Sequence, residues 1–437
     1  MNLTTASLGR RSHLLLTAAL ALLTALAALW AWSRLSPLPA PLGIAQAEAA
    51  EEVTYWPAKA RREEDRWTGR LQRLNSGLAL LTVRGNAEER GTAHGKLLGA
   101  EIRALVKSVK RFLEPNVAPC LDGAKIMKKH LDDALKAELK ACAKAAEVEA
   151  DELLLAQLFG DVNRAKGFKS LCSSFCAFGP ATQGGRPLVG RNFDYGGHGL
   201  EGGLPLVLQE LHAEGKDERD FITIGYAGIL NGWTAMNVDG LCASNNTLFG
   251  GEDSLEGLST CFLLRKIVEH GKTVEDGVAI VEQTARACTT GMLVAGRNRK
   301  GDWDARFVEF DHRSTALVEP RNGVLLATNT RQKLTLKEEG PREEPACGRF
   351  QALKRYLGER AGTLNFEDPA QNPVAAPNVY MQMNLHCALL DPLAQRFRLA
   401  VSPGDGKPAA EQPFREFQVR ADRVSESKKA GAATERR

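Results

Sequence analysis

Apolar and polar positions follow two different patterns along the chain, and the change falls near residue 171. Before it, apolar residues recur three and four positions apart, as in "LLGAEIRALVKSVKRFL", which predicts an amphipathic helix. The Ala-, Lys-, Glu- and Leu-rich stretch that begins at Ile126 predicts two more helices. A short strand, "ALLTVRG", precedes them. The segment up to residue 170 is therefore predicted to be mainly helical.

From Leu171 onward the pattern is typical of strands. The runs "CSSFCAFGPAT" and "RPLVGRNFDY" are joined by the turn "QGG" and predict a hairpin. Further strand runs follow, and "MQMNLHCALLDPLAQRFRLAVS" predicts a last hairpin. Helices are expected near Leu258–His270, Val274–Cys288 and Arg349–Leu357. Strand runs grouped around helices predict an α+β fold of stacked sheet and helix layers.

The first fifty residues have the pattern of an export segment. Arg10 and Arg11 precede an apolar run from Leu14 to Trp32, and a small-residue cleavage site follows at Ala45-Gln46-Ala47. The apolar run approaches the length that spans a bilayer, so a retained membrane anchor in residues 14–32 is the alternative. In both cases the body of the protein is expected outside the cytoplasm, in the periplasm or the extracellular space.

Charge and cysteine usage narrow the possible partners. Lysine plus arginine (57) exceeds aspartate plus glutamate (53) only slightly, which gives no reason to expect a nucleic acid. In an oxidising compartment some of the nine cysteines could pair, and the odd number leaves at least one unpaired. No CxxC pair and no histidine cluster is present, so no zinc site is predicted. No metal or organic cofactor is expected.

Cys172, at the start of the predicted hairpin, is a candidate nucleophile. A thiol attacks only as a thiolate, which a nearby base or positive charge must favour. His198 is the nearest histidine in sequence. Cleavage of the chain after Leu171 offers a second base, the new α-amino group, with a pKa of about 8. That solution would explain why a strand-opening cysteine directly follows a helical segment.

The stretch "CSSFCAFGPATQGGRPLVGRNFDY" resembles the mature start of cysteine-type N-terminal nucleophile (Ntn) hydrolases. These include choloylglycine hydrolases, penicillin V acylases, acid ceramidase-like enzymes and the acyl-coenzyme A:isopenicillin N acyltransferase family. In them a first-position cysteine opens a hairpin whose second strand ends in G-R-x-x-D, as Gly190–Asp194 does here.

The similarity to the isopenicillin N acyltransferase-like family extends over roughly residues 75 to 420. Upstream, "VRGNAEERGTAHGKLL" is similar to the G-x-x-x-E-x-G-x-x-x-G helix start of that family's proregion. Downstream, "MNVDGLCASNNT", "GVLLATNT", "CGRFQAL" and "HCALLDPLAQRFRLAV" follow in the family's order.

This resemblance implies a four-layer αββα sandwich, a mainly helical N-terminal proregion and a self-processing mechanism. Cys172 would be the nucleophile, exposed by self-cleavage after Leu171. Asp194 would bind the α-amino group, and Arg191 would lie beside the thiolate and favour its charge. The remaining implied site residues are Asn246 as oxyanion donor with Asn245 in reserve, and Asn329 and Arg349 as polar support for the nucleophile.

Each of these positions also has a structural interpretation. Arg191 and Asp194 could form a salt bridge in a turn, and Asn329 could be an ordinary turn asparagine. Arg349 could pair with Glu343 or Glu344.

The chain departs from the family at two positions. Leu171 stands where a glycine is usual, and Cys176 is not part of the pattern. Because strand side chains repeat every second residue, Cys176 should face the same side as Cys172, as a buried apolar cysteine or a pocket wall.

The predicted organisation is a signal peptide or anchor (1–47), a helical proregion (48–171), an Ntn-hydrolase core (172–420) and a disordered basic tail (421–437). The predicted activity is hydrolysis or acyl transfer at a linear amide, through an acyl-thioester on Cys172. Its partners would be a small amide or acyl substrate, such as a thioester donor, and the chain's own proregion fragment. The alternatives are an uncleaved, non-catalytic scaffold or binding module, and a cysteine peptidase that depends on His198.

Overall fold

The computed structural model describes residues 52–55, 68–74, 78–162, 170–195, 206–212, 215, 217–335, 345, 347–368, 370–419 and 424–426. All of them belong to one compact unit, Gln46–Arg437. The predicted export segment and His198 lie outside the described residues, and so does most of the predicted tail. Within the described ranges, no helix combines the length and the apolar composition that a membrane crossing requires.

The N-terminal part is mainly helical, as predicted. Three strands come first: β1 (Glu52–Tyr55), β2 (Gly69–Arg73) and β3 (Leu78–Arg84). Five helices follow: α1 (Ala87–Leu97), α2 (Gly99–Leu113), α3 (Val117–Lys128), α4 (Asp133–Ala146) and α5 (Ala150–Val162). The apolar residues whose spacing predicted α2 are buried, because residues three and four apart share one helix face: Ile102, Leu105, Val106, Val109 and Leu113. The pattern did not predict β1 and β2.

The glycines of the G-x-x-x-E-x-G-x-x-x-G stretch allow α1 to pack against the backbone of α4. A Cβ atom on Gly91 would lie 2.1 Å from the Glu138 carbonyl oxygen, and one on Gly95 would lie 2.3 Å from that of Cys142. Glu89 closes a capping box at the start of α1, which satisfies helix N–H groups that otherwise lack partners. The motif is therefore a close helix–helix contact.

A ten-stranded sheet forms one half of the sandwich, in the order β1-β2-β3-β6-β7-β8-β9-β10-β11-β12. Its strands pair antiparallel except for β3 and β6, which are parallel. Helices α6 (Thr260–His270) and α7 (Val274–Gln283) pack on this sheet. The later strands are β6 (Leu206–His212), β7 (Phe221–Tyr226), β8 (Thr234–Asn237), β9 (Cys242–Thr247), β10 (Thr290–Arg297), β11 (Trp303–Phe310) and β12 (Thr315–Val318).

A seven-stranded antiparallel sheet forms the other half, in the order β13-β4-β5-β14-β15-β16-β17. Its strands are β4 (Ser170–Gly179), β5 (Gly185–Tyr195), β13 (Val324–Ala327), β14 (Asn384–Asp391), β15 (Arg396–Val401), β16 (Arg415–Val419) and β17 (Val424–Glu426). The last of these lies within the segment predicted to be a disordered tail. Helix α8 (Gly348–Glu359) packs on this sheet, and β4 packs against β9 of the other sheet. The layers therefore run helix, sheet, sheet, helix, which confirms the predicted α+β sandwich.

Alternation along β4 divides its side chains between two cores. Cys172 and Cys176 belong to the core between the two sheets, whereas Phe175 belongs to the core under α8. Side chains of a strand alternate between its faces, so the Cys172 thiol faces the ten-stranded sheet. Cys176 is fully buried on the same face, and its burial raises the pKa of its thiol.

Candidate active site

The backbone of Cys172 is held by side chains from two distant parts of the chain. Its N–H donates to Asn329 Oδ1 at 2.6 Å, and its carbonyl oxygen accepts from Arg349 Nη1 at 2.5 Å. The side chain is only 1% exposed in the unbroken chain. The structure thus brings together three residues that the sequence predicted at one site, although 157 residues separate Cys172 from Asn329.

Arg349 and Asn329 also bind each other. Arg349 Nη2 donates to Asn329 Oδ1 at 2.8 Å, and Asn329 Nδ2 donates to the Thr247 carbonyl oxygen at 2.8 Å. Arg349 is in the first turn of α8, so the packing of α8 on the seven-stranded sheet places its guanidinium beside β4. Its alternative partners, Glu343 and Glu344, lie outside the described residues.

Asp194 lies on the α8 side of the same hairpin, opposite Leu171. Its carboxylate accepts from Asn384 Nδ2 at 2.8 Å and from the Met381 N–H at 3.3 Å, and it is 3.5 Å from Arg349 Nη1. Burial raises the pKa of Asp194 to about 6, although these partners act to lower it. In the unbroken chain the Cys172 N–H donates to Asn329, so the contact between Asp194 and an α-amino group stays a prediction.

Arg191 is a fully buried cation on the Cys172 side of the hairpin. Its backbone pairs with that of Ser174, and its side chain spans the space between the sheets. Nη1 donates to the Asn192 carbonyl oxygen at 2.6 Å and Nη2 to the Asn245 carbonyl oxygen at 2.5 Å. Among the described residues it has no carboxylate at ion-pair distance, and its Nε has no hydrogen-bond partner. The alternative salt bridge with Asp194 is therefore not formed.

Asn246 and Asn245 point to opposite faces of β9. Ser174 Oγ donates to Asn246 Oδ1 at 2.8 Å, so Asn246 faces β4 and the Cys172 side of the inter-sheet core. Its Nδ2 makes only a long contact of 3.5 Å with the Ala327 carbonyl oxygen. Asn245 lines a cavity on the other face of its strand, and its Oδ1 has no hydrogen-bond partner among the described residues. Of the two candidates, Asn246 is the one that faces the hairpin of Cys172.

Two residues near the site were missed by the sequence analysis. Asn384 opens β14 and donates to Asp194, and Ser174 orients Asn246. A signal for Asn384 was present, since it is a polar residue at the start of a mainly apolar strand. Ser174 follows Cys172 by two positions, and the strand period places both on one face.

The described histidine nearest in register to Cys172 is His386. Cys172 pairs with Phe193, and Phe193 pairs with His386, so two strand spacings, about 10 Å, separate the backbones of Cys172 and His386. The Phe193 ring stacks on that of His386. Burial lowers the pKa of His386 far below its ordinary value, with Arg191 acting in the same direction. Nε2 of His386 pairs with Thr234 Oγ1 at 3.0 Å.

In the described ranges, no group of three histidine, cysteine or acidic side chains is placed to hold a metal ion. The nine cysteines all fall in these ranges, and no disulfide joins them. Cys347 is half-buried at the start of α8, near Arg349. Burial raises the pKa of its thiol, but hydrogen bonds, first from the Phe350 N–H, outweigh this and lower it overall.

Comparison with known proteins identifies the family. The sequence profile of the acyl-coenzyme A:6-aminopenicillanic acid acyl-transferase family matches residues 181–401, just over half of the chain. The chain belongs to this family. The matched residues include Arg191, Asp194, Asn246, Asn329 and Arg349, and they begin after Cys172.

Curated relatives of this family member are distant. Protein dcd1A of Dictyostelium discoideum is 24% identical over 53% of the chain and 58% of its own length. An uncharacterized protein of Archaeoglobus fulgidus is 22% identical over 53% of the chain and 44% of its own length. The chain thus spans about half the length of these relatives.

Several solved structures are similar to the chain at low sequence identity. The Caenorhabditis elegans orthologue of N-acylethanolamine-hydrolyzing acid amidase is 16% identical, with a TM-score of 0.39, over 51% of this chain and 93% of its own. A conjugated bile acid hydrolase from Clostridium perfringens is 10% identical, with a TM-score of 0.37, over 57% and 97%. Penicillin V acylase from Agrobacterium tumefaciens is 14% identical, with a TM-score of 0.35, over 53% and 83%.

Proposed function

We propose that this acyl-transferase family member is a self-processing N-terminal cysteine amidohydrolase or acyltransferase whose nucleophile is Cys172. The observation that carries the proposal is the pair of hydrogen bonds that hold the Cys172 backbone. Asn329 accepts from its nitrogen, and Arg349 donates to its carbonyl oxygen. Both contacts would survive cleavage after Leu171 and would then orient a free α-amino group beside its own thiol.

Self-cleavage begins with attack of the Cys172 sulfur on the Leu171 carbonyl carbon. The S–C bond forms, the C–N bond between the two residues breaks, and the thiol proton goes to the leaving nitrogen, which becomes the α-amine. Water then hydrolyses the Leu171 thioester, giving a Leu171 carboxylate and a free thiol. Because Cys172 is 1% exposed in the unbroken chain, its sulfur becomes accessible to an external substrate only after this step.

Catalysis repeats the same chemistry on an external amide. The α-amine accepts the thiol proton, the thiolate attacks the substrate carbonyl, and Asn246 donates its amide to the oxyanion. The buried charge of Arg191 stabilises the thiolate. The leaving amine takes the proton from the α-ammonium group, and water or an acceptor amine or thiol resolves the acyl-thioester.

The proregion fragment is proposed to stay bound after cleavage. Four buried side chains form an ion cluster across α1, α4 and α6: Arg90, Glu138, Arg265 and Glu269. Arg265 Nη2 donates to Glu138 Oε2 at 2.7 Å, joining α6 of the core to α4 of the proregion. Removing one partner of such a pair leaves a buried charge uncompensated and lowers the free energy of unfolding by about 3–5 kcal/mol.

The location is also proposed from the residue pattern. In the first fifty residues a positively charged start, an apolar run and a small-residue cleavage site follow one another. This order supports export, with the enzyme working in the periplasm or outside the cell. Residues 14–32 would serve either as a cleaved signal or as an anchor.

The test is the intact mass of the wild-type protein beside that of Cys172→Ala, with Cys176→Ala as the matched control. We expect two wild-type fragments, the larger beginning at Cys172, one uncut chain for Cys172→Ala, and normal cleavage for Cys176→Ala. An uncut wild-type chain across pH and reducing conditions would contradict the proposal. Failure of thiol reagents to label Cys172 would then indicate a scaffold, and activity lost only in His198→Ala would indicate the histidine-dependent peptidase.

A further inference from the structure

A cavity of about 70 Å³ lies one side chain away from Cys172. Phe193, which pairs with Cys172 across the hairpin, contributes its ring to the cavity wall. Directly paired residues of antiparallel strands have Cβ atoms about 5 Å apart on the same face. A substituent on an acyl group bound to Cys172 would therefore reach this cavity within a few bonds.

Five of the fifteen residues that line the cavity are aromatic. The Phe193 ring stacks on Trp233 at 4.8 Å and on Tyr195 at 5.7 Å, and Tyr226 packs edge-on to Trp233 at 5.9 Å. Phe159 of α5 packs edge-on to Tyr195 at 6.1 Å. The proregion and the core thus build the cavity together.

Two amide side chains on the wall each keep one buried polar atom that has no hydrogen-bond partner in the described part of the chain. Gln157 of α5 accepts the Leu230 N–H at 3.0 Å through Oε1, and this contact fixes its orientation and leaves Nε2 unpartnered. Asn245 of β9 leaves Oδ1 unpartnered. Both residues are more than nine-tenths buried. An unmade hydrogen bond on a buried polar group costs about 1–3 kcal/mol, so a ligand that completes both is favoured.

The ligand must be short, uncharged, and able both to accept and to donate. The volume equals that of about two water molecules, well below the roughly 150 Å³ of a cavity that holds benzene. Gln157 Nε2 needs a hydrogen-bond acceptor on the ligand, and Asn245 Oδ1 needs a hydrogen-bond donor. The carboxylate of Asp161, also on the wall, disfavours an anion. A primary carboxamide meets all of these conditions.

From this geometry we infer that the cavity is a specificity pocket for a carboxamide carried by the acyl part of the substrate, with Gln157 and Asn245 as its polar contacts. The inference rests on the proposed function, since it places the acyl group on Cys172. The substrate class is then an amide whose acyl part resembles an N-acylated glutamine or asparagine. Gln157 is a specificity-determining residue supplied by the proregion.

The test compares three substrates of similar length: the 4-nitroanilides of N-acetylglutamine, N-acetylmethionine and N-acetylglutamate. For the processed wild type we expect kcat/KM for the glutamine substrate to exceed that for methionine at least tenfold, with glutamate lowest. Gln157→Leu should bring the glutamine-to-methionine ratio close to one. Gln418→Leu, which removes a side-chain amide from the remote strand β16, should leave the ratio unchanged.

A binding measurement separates this inference from the proposed function. The N-methylamides of the same three N-acetyl amino acids are titrated calorimetrically into the processed wild type and into full-length Cys172→Ala. Leu105→Phe, which fills the cavity without touching its amides, should weaken binding of the glutamine probe at least fivefold, and it covers the case in which Gln157→Leu unfolds.

The outcomes assign failure to one idea or the other. If the probes bind with a glutamine preference but no nitroanilide is turned over, the pocket is supported and the proposed chemistry is contradicted. Turnover without a glutamine preference, a preference that both cavity variants retain, or no binding in either protein form would overturn the pocket.

Discussion

The ion cluster and the Cys172 site are two buried polar regions of one compact unit, and they differ in how completely their atoms are paired. In the ion cluster, Glu138 accepts through both oxygens, and Arg265 donates through all three nitrogens. Near Cys172, Arg191 has no carboxylate at ion-pair distance among the residues that the structure describes, and its Nε has no hydrogen-bond partner there. Asn245 Oδ1 also lacks a partner within those residues.

This difference indicates what each region is for. A fully paired buried cluster offers nothing to a ligand, so its contribution is to hold α4 against α6. Unpaired buried groups lower stability unless something completes them, and natural proteins accept that cost mainly at functional sites. The pairing of polar atoms thus distinguishes the ion cluster from the polar groups around Cys172.

The largest effect is expected from Glu138→Gln. Neutralising Glu138 leaves Arg90 and Arg265 buried without full compensation, and the free energy of unfolding should fall by about 3–5 kcal/mol. Urea unfolding measures the change, and Glu282→Gln, at an exposed position on α7, is the matched control with a change within about 0.5 kcal/mol. A loss below about 1 kcal/mol would mean that pairing in the cluster is not what stabilises this contact.

The second effect tests the site itself. Removal of one preorganised oxyanion donor typically costs 10²–10³ in kcat, about 3 kcal/mol. Asn246→Leu should show this loss, because its amide faces the hairpin of Cys172. Asn245→Leu should lower kcat less than Asn246→Leu does, and its main effect should be a higher KM for the carboxamide substrate. Steady-state kinetics on processed protein measures both, and a larger kcat loss for Asn245→Leu would reverse the assignment.

The sequence predicted which residues lie together better than it predicted their contacts. The hairpin pattern and the family order brought Cys172, Asp194, Asn329 and Arg349 together, and the strand period placed Cys176 beside Cys172. Which atoms pair could not be predicted, because Asn329 meets the Cys172 backbone only when β13 lies against β4. The pairing of Asp194 with Asn384 likewise depends on β14 adjoining β5.

The ion cluster was not predicted at all, for a related reason. Its members are scattered from residue 90 to residue 269, and each is an ordinary charged residue of an amphipathic helix. The two outermost strands at one end of each sheet, β1 and β2 in one and β16 and β17 in the other, were also missed. They are short and lie at the ends of the sheets, where few neighbours impose a hydrophobic pattern.

A third effect concerns Asp194, and it is a change in kcat/KM of about tenfold per pH unit below the pKa of this carboxyl group. Burial raises its pKa from 3.8 to about 6, so the folded chain holds this proton more tightly than the unfolded chain. The stability that Asp194 contributes is present below pH 3.8 and is lost as pH rises through 6. Activity that needs the carboxylate should rise with pH. In the processed protein the α-ammonium group proposed beside Asp194 should lower this pKa and move the rise below pH 6.

Two measurements across pH 4 to 7 check this opposition: urea unfolding of the uncleaved Cys172→Ala chain and kcat/KM of the processed protein. Asp194→Asn should remove this component of the fall in stability, and its lower activity should lose its acid limb. Stability and activity that rise together in the wild type would contradict a functional role for the buried carboxylate.

The smallest effect concerns the orientation of the Asn246 amide. Ser174 Oγ donates to Asn246 Oδ1 at 2.8 Å, which fixes the side on which Nδ2 can donate. Ser174→Ala removes this hydrogen bond, which is worth about 0.5–1.5 kcal/mol, together with the longer one that Ser174 Oγ accepts from Ser244 Oγ at 3.3 Å. Loss of the bond to Asn246 should lower kcat by about two- to twelvefold with KM unchanged. Ser174→Thr, which keeps the hydroxyl, should restore kcat.

Ser173→Ala is the control that makes this effect specific. Ser173 Oγ donates to the Val379 carbonyl oxygen on the opposite face of β4, so its removal costs a similar hydrogen bond away from Asn246. Both alanine variants should lose similar stability, but only Ser174→Ala should lose kcat. Equal kcat losses would show that the hairpin tolerates no lost hydrogen bond, and the functional distinction between its two faces would fail.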